Sequence, residues 1–146
     1  MIPKEMNLAN QLCFSVYNAN RLFNKFYQQA LKDFDLTYPQ YIVMLALWEQ
    51  DNLALNQLGM QLDLESNTLT PLLKRLEAAG WVTRHRDATD KRQLIVSLTS
   101  KGVNSQDAVF EAVSSCIAEG KLDIEKYRQA LEINNELISE LANSIE

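Results

Sequence analysis

Two groups of residues in this 146-residue sequence have side chains and spacing suited to chemistry. The first begins with short polar side chains and ends with cations: Ser66, Asn67, Thr68, Thr70, Pro71, Lys74 and Arg75. At the start of a helix such polar groups can contact base edges, Pro71 can pack on a thymine methyl, and cations a turn later can bind phosphates. The second group is Cys13, a thiol on a stretch with helical apolar spacing, together with Tyr17, Tyr27 and Tyr38.

A basic hairpin is predicted directly after the first group. Residues 81–86 and 93–98 have the composition of strands, and residues 87–91 are polar turn material. The pair carries four cations, Arg84, Arg86, Lys91 and Arg92, of which one near the tip could enter a DNA minor groove. Residues 74–101 hold seven basic and three acidic residues, although the whole chain has a net charge of −5. Local positive charge of this kind favours a phosphate-binding surface.

Each of these residues also has an ordinary structural explanation. Ser66 could only cap a helix, Arg92 could pair with Asp90 or Asp87 within the turn, and a proline such as Pro71 is tolerated early in a helix. Charge alone is equally compatible with a solvated face. The order of polar helix start, cations and basic hairpin nevertheless favours DNA binding.

The surrounding pattern predicts a winged helix-turn-helix at about residues 38–99. Thr37, with Gln40 three residues later, is typical of a capping box before a buried helix at residues 38–49. Residues 54–62 and 67–79 read as two amphipathic helices, with Ser66 as N-cap of the second and Gly80 as its left-handed stop. The inner face of the second helix is formed by leucines at positions 69, 72, 73 and 76.

Helices are also predicted at both ends, at about residues 7–34 and 100–146. In the second range the helical period runs from Thr99 to about Glu119, breaks at Gly120 and restarts with Asp123 as N-cap. Their apolar stripes are longer than a compact winged helix needs, so we interpret them as a layer that forms a homodimer. The alternative is that both ends pack on their own domain. The expected fold class is therefore mainly α with a small β-hairpin wing (α+β), as a single domain over residues 1–146.

Composition narrows the function classes further. No apolar run approaches the roughly 20 residues of a membrane span, and no signal peptide is evident, which favours the cytoplasm and free thiols. We expect no membrane partner, no metal and no cofactor. A thiol enzyme such as a small peroxidase is disfavoured because the sole histidine, His85, lies in the predicted hairpin. A pure interaction protein would not explain the basic hairpin.

At these positions the sequence resembles the MarR family of bacterial transcriptional regulators. The resemblance rests on the run Leu-Thr-Pro-Leu-Leu-Lys-Arg-Leu-Glu at residues 69–77, on Gly80, on Asp-Lys-Arg at 90–92 and on Leu-Thr at 98–99. It implies a homodimer on a pseudo-palindromic double-stranded DNA operator, with the helix after Ser66 in the major groove and Arg92 in the minor groove. Most such proteins are repressors.

The N-terminal half is similar to the organic-peroxide-sensing branch of that family, through residues 10–14, Tyr17 and residues 36–41. This similarity implies that organic hydroperoxide oxidises Cys13 and that Tyr27 and Tyr38 hydrogen-bond it across the subunit interface. It also implies that oxidised Cys13 is capped by a low-molecular-weight thiol or by a second cysteine, for which Cys116 is the candidate.

Three alternatives remain open at this point. Cys13 could be a small core residue, since free cysteine is among the most buried residue types. Cys116 could equally be a packing residue. A regulator of this family could also respond to a small aromatic ligand, in which case Cys13 would not be needed for the response.

Overall fold

The computed structural model describes residues 1–145, which form helices around one small antiparallel sheet. The helices are α1 Leu12–Ala30, α2 Tyr38–Glu49, α3 Leu55–Leu62, α4 Ser66–Ala78, α5 Ser100–Asn104, α6 Gln106–Glu119 and α7 Ile124–Ser144. The strands are β1 Leu53–Ala54, β2 Val82–Arg86 and β3 Leu94–Leu98. The predicted fold class, mainly α with a small hairpin, is confirmed. The chain divides into a compact unit Met1–Val113 and a second unit that starts at Ser114.

The first helix is shorter than predicted. Residues 7–34 were expected to form one helix, but α1 covers only Leu12–Ala30, with short 3₁₀ turns at Lys4–Met6, Leu8–Asn10 and Lys32–Phe34. The helix ends because Leu31 leaves helical geometry and Asp35 adopts a left-handed conformation with φ 57°. The apolar spacing that predicted the longer helix continues through these turns, which is why periodicity did not reveal the breaks.

Helix α2 forms the centre of the first unit, as its nearly continuous apolar sequence predicted. Thr37 caps it in the predicted way: its side chain accepts from the Gln40 backbone N–H, and the Gln40 side chain accepts from the Thr37 N–H. Val43, Met44 and Leu47 are fully buried. Because α2 is enclosed, the neighbouring elements have a fixed surface on which to pack.

The sheet has the order β1-β3-β2, with both pairs antiparallel. Strands β2 and β3 are the predicted hairpin, in a register that pairs Val82 with Leu98 and Arg86 with Leu94. Strand β1 was not predicted, because two residues between helices give no period that could be recognised. It pairs with Ile95 and Val96 in the middle of β3 and so anchors the hairpin to the start of α3.

Helix α4 carries the predicted polar and cationic residues, but it begins one residue earlier than expected. Ser66 is its first residue rather than its cap, and the cap position is occupied by Glu65 without a side-chain hydrogen bond. The carbonyl of Glu65 instead accepts the N–H groups of Thr68 and Leu69. The predicted stop is confirmed, since Gly80 has φ 83°, a conformation that glycine adopts without a steric cost.

The C-terminal helices differ from the prediction in one respect. The helix expected from residue 99 to 119 is divided into α5 and α6 at Ser105, and Thr99 caps α5 through a bond from the Gly102 N–H. Asp123 caps α7 as predicted, by accepting the N–H groups of Glu125 and Lys126. Within the single chain α7 contributes no buried residue. Over residues 1–145 no helix combines the length and apolar character needed to cross a membrane.

Candidate DNA interface and redox site

One face of α4 is polar and open to solvent. Its buried side is formed by Leu69, Leu73 and Leu76, each fully inaccessible, while Leu72 and Thr70 are half-buried. The remaining predicted residues on this helix are exposed: Ser66, Asn67, Thr68, Pro71, Lys74 and Arg75. The helix therefore offers short polar groups at its N-terminal end and two cations further along, the distribution that a recognition helix requires.

The hairpin tip holds Arg92 outward. One oxygen of the Asp90 carboxylate accepts both from the Arg92 backbone N–H, at 3.1 Å, and from the Arg92 Nε, at 3.2 Å. The Arg92 side chain is nevertheless 93% exposed. Asp87 organises the other side of the turn by accepting from the N–H and hydroxyl of Thr89. The pairing with Asp90 considered from the sequence thus exists, and it leaves the guanidinium available to a ligand.

Arg86 and Lys91 are the other exposed cations of the hairpin. The Arg86 guanidinium donates to the Arg92 carbonyl at 3.4 Å, which links the base of the tip to its end. Lys91 lies beside Arg92 in the turn. These three cations form a positively charged tip on a strand pair whose register is fixed by the sheet.

Arg84, which was predicted to contact DNA, is engaged by α4 in the structure. Its side chain is only 19% exposed, and its Nη2 donates to Glu77 of α4 at 3.1 Å. The second oxygen of Glu77 accepts from the Arg84 backbone N–H at 3.0 Å. The hydrogen bond from the Arg84 guanidinium holds the pKa of the Glu77 carboxyl below its ordinary value, against partial desolvation. In the charge count of residues 74–101, Glu77 is only one of three acidic residues. The single feature of the sequence that could have indicated its pairing with Arg84 is that it is an isolated acid among cations.

The end of α4 is fixed to the start of α5 by polar contacts. Lys101 donates from Nζ to the Ala79 carbonyl at 2.8 Å and lies over the Trp81 ring at 4.7 Å. The Thr99 hydroxyl donates to the carbonyls of Gly80 and Trp81. A cation at the C-terminal end of a helix is also favoured by the helix dipole. Lys101 therefore has a structural role, although its side chain is exposed.

Cys13 lies in the first turn of α1 and is exposed in the single chain. This differs from the expected burial on an apolar face, because that face of α1 is itself open: Leu12, Phe14 and Val16 are exposed. Tyr17, one turn further on, is 67% exposed. The interpretation of Cys13 as a residue buried in the core of its own chain is thus contradicted.

Tyr27 and Tyr38 meet at the junction of α1 and α2. Their rings stack at 4.7 Å with an interplanar angle of 15°, and the Tyr41 ring also stacks with Tyr27, at 5.3 Å. Tyr27 is fourteen residues beyond Cys13 on the same helix, a separation of about 21 Å at 1.5 Å per residue. Neither tyrosine can therefore reach Cys13 of its own chain through α1.

Cys116 is a half-buried free thiol near the end of α6. It belongs to the unit that starts at Ser114, whereas Cys13 belongs to the first unit. Partial exposure is compatible with either expectation for this residue, a resolving thiol or a packing residue.

A groove of about 430 Å³ lies beside Tyr38, between the end of α1 and the start of α2. It is lined by Asn24, Gln28, Lys32, Asp35, Leu36, Thr37, Tyr38 and Pro39. Among residues 1–145 there is no cluster of three or more His, Cys, Asp or Glu side chains suited to a metal ion.

Comparison with known proteins identifies the family to which this sequence is similar. A family described as "Transcriptional regulator SarA/Rot" matches residues 25–109, which is more than half of the chain. The organic hydroperoxide resistance transcriptional regulator of Bacillus subtilis is 39% identical over 124 residues, covering 85% of this chain and 84% of that protein. The regulator TtmR of Methylorubrum extorquens is 52% identical over 96 residues, but the match spans only about half of TtmR, 49%.

Among solved structures, AbfR of Staphylococcus epidermidis is similar over the whole chain. Reduced AbfR bound to DNA superposes with a TM-score of 0.89 at 51% identity and covers 100% of both chains. Disulfide-formed AbfR gives a TM-score of 0.66 at 52% identity, with 96% of this chain and 93% of that chain covered.

Proposed function

Because this chain belongs to the MarR/SarA family of transcriptional regulators, we propose that it represses transcription as a homodimer and releases its operator when organic hydroperoxide oxidises Cys13. The observation that carries DNA binding is the division of α4 into a buried leucine face and an exposed polar and cationic face. The redox response is supported by the similarity to a hydroperoxide resistance regulator and to AbfR.

DNA binding would use two elements of each subunit. The exposed side chains of Asn67, Thr68 and Pro71 would contact base edges in the major groove, with Lys74 and Arg75 on phosphates. Arg92 would enter the adjacent minor groove, where the enhanced negative potential attracts a guanidinium that is already held in place. Thr70 is half-buried and would therefore contribute less to the contact with DNA. A regulator of chromosomal DNA in a bacterium acts in the cytoplasm.

The dimer would be formed by the terminal helices, approximately residues 7–34 and 100–146, around the lobe at residues 38–99. Large apolar side chains are half exposed or more along both ends of the single chain, including Leu12, Leu22, Leu131 and Leu141. Exposed apolar side chains in this number are unfavourable in water and are typical of an obligate interface. Two-fold symmetry of the dimer would match a pseudo-palindromic operator.

The dimer would also complete the redox site. Since Tyr27 lies about 21 Å along α1 from Cys13 of its own chain, and Tyr38 of α2 stacks on Tyr27, both tyrosines would hydrogen-bond a Cys13 sulfur from the partner subunit. Tyr17, one turn from Cys13, would contribute from the same subunit. Phenol hydroxyls donate to a thiolate without adding charge, and this stabilises the nucleophilic form.

Oxidation would follow ordinary thiol chemistry. The Cys13 thiolate attacks one oxygen of the hydroperoxide, the O–O bond breaks, and the alkoxide leaves and takes up a proton to become an alcohol. The sulfenic acid then condenses with a second thiol, forming an S–S bond and releasing water. We propose Cys116 of the partner subunit as that thiol, supported by the disulfide-formed structure of AbfR. A low-molecular-weight thiol is the competing partner.

A second candidate effector is a small aromatic compound, favoured by the groove beside Tyr38. It would act on the same DNA-binding lobe but would not depend on Cys13. The Cys13→Ser variant separates the two, because a ligand-responsive regulator would keep its response.

The experiment that tests the proposal is a gel shift of the reduced protein on DNA from upstream of its own gene. We expect a retarded complex under reducing conditions, loss of the complex with cumene hydroperoxide, and its return after treatment with dithiothreitol. No complex with the reduced protein would refute operator binding at that site. A complex that persists after oxidation would refute the redox switch while leaving DNA binding intact.

A further inference from the structure

The Glu77 carboxylate holds a single residue of the hairpin by two different groups. Its Oε2 accepts from the Arg84 backbone N–H at 3.0 Å, and its Oε1 accepts from the Arg84 Nη2 at 3.1 Å. Glu77 lies in the last turn of α4, and Arg84 is the central residue of β2. The contact therefore joins the helix proposed to read the major groove to the strand that carries the wing.

This arrangement is not optimised for stability. The Arg84 Nε is buried and has no hydrogen-bond partner among the described residues. Burying a guanidinium with one donor unsatisfied has a free-energy cost, and a partly buried ion pair is weak evidence for stabilisation. What such a pair does provide is a defined geometry, since a charge-assisted bond to both backbone and side chain permits little sliding.

The geometry matters because the wing tip is distant from the rest of the lobe. Strand β2 follows α4 through Gly80 and Trp81, and Arg84 pairs with Val96 in the middle of the strand. The strand ends at Arg86, and Arg92 lies six residues further along, in the tip. A small rotation of β2 about this connection would be amplified at the tip. The Glu77–Arg84 contact is a polar link between α4 and β2 that opposes such a rotation.

We propose that Glu77 and Arg84 are positioning residues that set the angle between α4 and the wing, so that Arg92 meets the DNA while α4 is in the adjacent groove. Arg84 then acts through Arg92 and not as a DNA contact. This inference rests on the DNA-binding function proposed above and adds two residues on which operator affinity depends.

The test compares Glu77→Ala, Arg84→Met and Arg92→Ala in operator titrations at several salt concentrations. Because misplacing the tip loses part of a contact worth roughly 5- to 150-fold, we expect Glu77→Ala and Arg84→Met each to raise the operator Kd about tenfold and to lower the salt slope by no more than Arg92→Ala does. If Arg84 instead binds phosphate, Arg84→Met would lower the slope in the Arg92→Ala background as well, where the proposal predicts no further change. Removing the acid Glu77, which competes for Arg84, would then tighten binding. Either result would overturn the proposal.

A merely structural role is excluded by a double-mutant cycle. In an Arg92→Ala background there is no tip arginine to position, so the effect of Glu77→Ala on Kd is expected to fall to about twofold or less. An equal loss in both backgrounds would show general destabilisation and contradict the inference. Val43→Ala, a core change in α2 away from this pair, serves as the control: it should lower the melting temperature without changing Kd.

Failure of the inference can be told apart from failure of the proposed function. If Arg92→Ala weakens binding while Glu77→Ala and Arg84→Met bind like wild type, the wing contacts DNA but the pair does not position it. If the wild-type protein does not bind the operator, the proposed function itself is wrong.

Discussion

Replacing Arg92 by alanine tests the proposed wing contact with little effect on the fold. The Arg92–Asp90 pair has side chains that are 93% and 36% exposed, and exposed pairs contribute about 0–1 kcal/mol to stability. The backbone bond from Arg92 to Asp90 is retained in the variant. We therefore expect the melting temperature to change by no more than a few degrees.

The expected loss of operator affinity is larger. One guanidinium contact with DNA is worth about 1–3 kcal/mol, or 5- to 150-fold in Kd. A homodimer loses the contact twice, which gives about 2–6 kcal/mol in total. Each lost phosphate neutralisation lowers the slope of log Kobs against log salt by about 0.9, so the dimer should show a decrease of roughly 1.8.

Fluorescence anisotropy with a labelled operator over a range of salt concentrations measures both quantities. The matched control is Arg21→Ala, which also removes one exposed arginine but from α1, outside the DNA-binding lobe. Arg92→Ala that binds like Arg21→Ala would refute the wing assignment. A loss of affinity with an unchanged slope would mean that Arg92 does not neutralise phosphate.

Three further predictions concern the second thiol, a packed glycine and the Glu77 carboxylate. After cumene hydroperoxide, non-reducing gels should show a covalent dimer for the wild type and only monomer for Cys116→Ser; a dimer in both would exclude Cys116 as the resolving thiol. Gly102→Ala would place a Cβ 2.5 Å from the Trp81 carbonyl oxygen, so calorimetry should show a destabilisation of about 1–3 kcal/mol, and an unchanged melting temperature would contradict the packing described. Because Arg84 lowers the pKa of Glu77, the ionised carboxylate should contribute to stability above pH 4.5, and this contribution should be lost as the pH falls through the folded pKa. The difference in melting temperature between wild type and Glu77→Gln should therefore vanish in acid. A difference that persists in acid would contradict this prediction.

Local signals in the sequence predicted local structure well. The capping box of Thr37 and Gln40, the cap at Asp123 and the left-handed Gly80 were each confirmed, because each depends on residues within one turn. Ser66 was misplaced by one position, since Glu65 serves as the cap through its carbonyl alone. A backbone cap of this kind leaves no mark in the residue type.

Contacts between elements were the part that the sequence could not provide. The division of α4 into exposed and buried faces followed from leucine spacing, but the pairing of Arg84 with Glu77 depends on how the hairpin folds back on the helix. Cys13 was expected on a buried face because apolar spacing does not distinguish a core from an interface between subunits. A charge count likewise could not separate the exposed Arg92 from the engaged Arg84.

The measurement that tests the central claim most directly is release of the operator by hydroperoxide in wild type and Cys13→Ser. Both proteins, reduced, should bind labelled operator with similar Kd, since Cys13 lies in α1 and outside the DNA-binding lobe. Addition of cumene hydroperoxide should release the wild type and leave Cys13→Ser bound. Release of Cys13→Ser at the same hydroperoxide concentration would contradict the account.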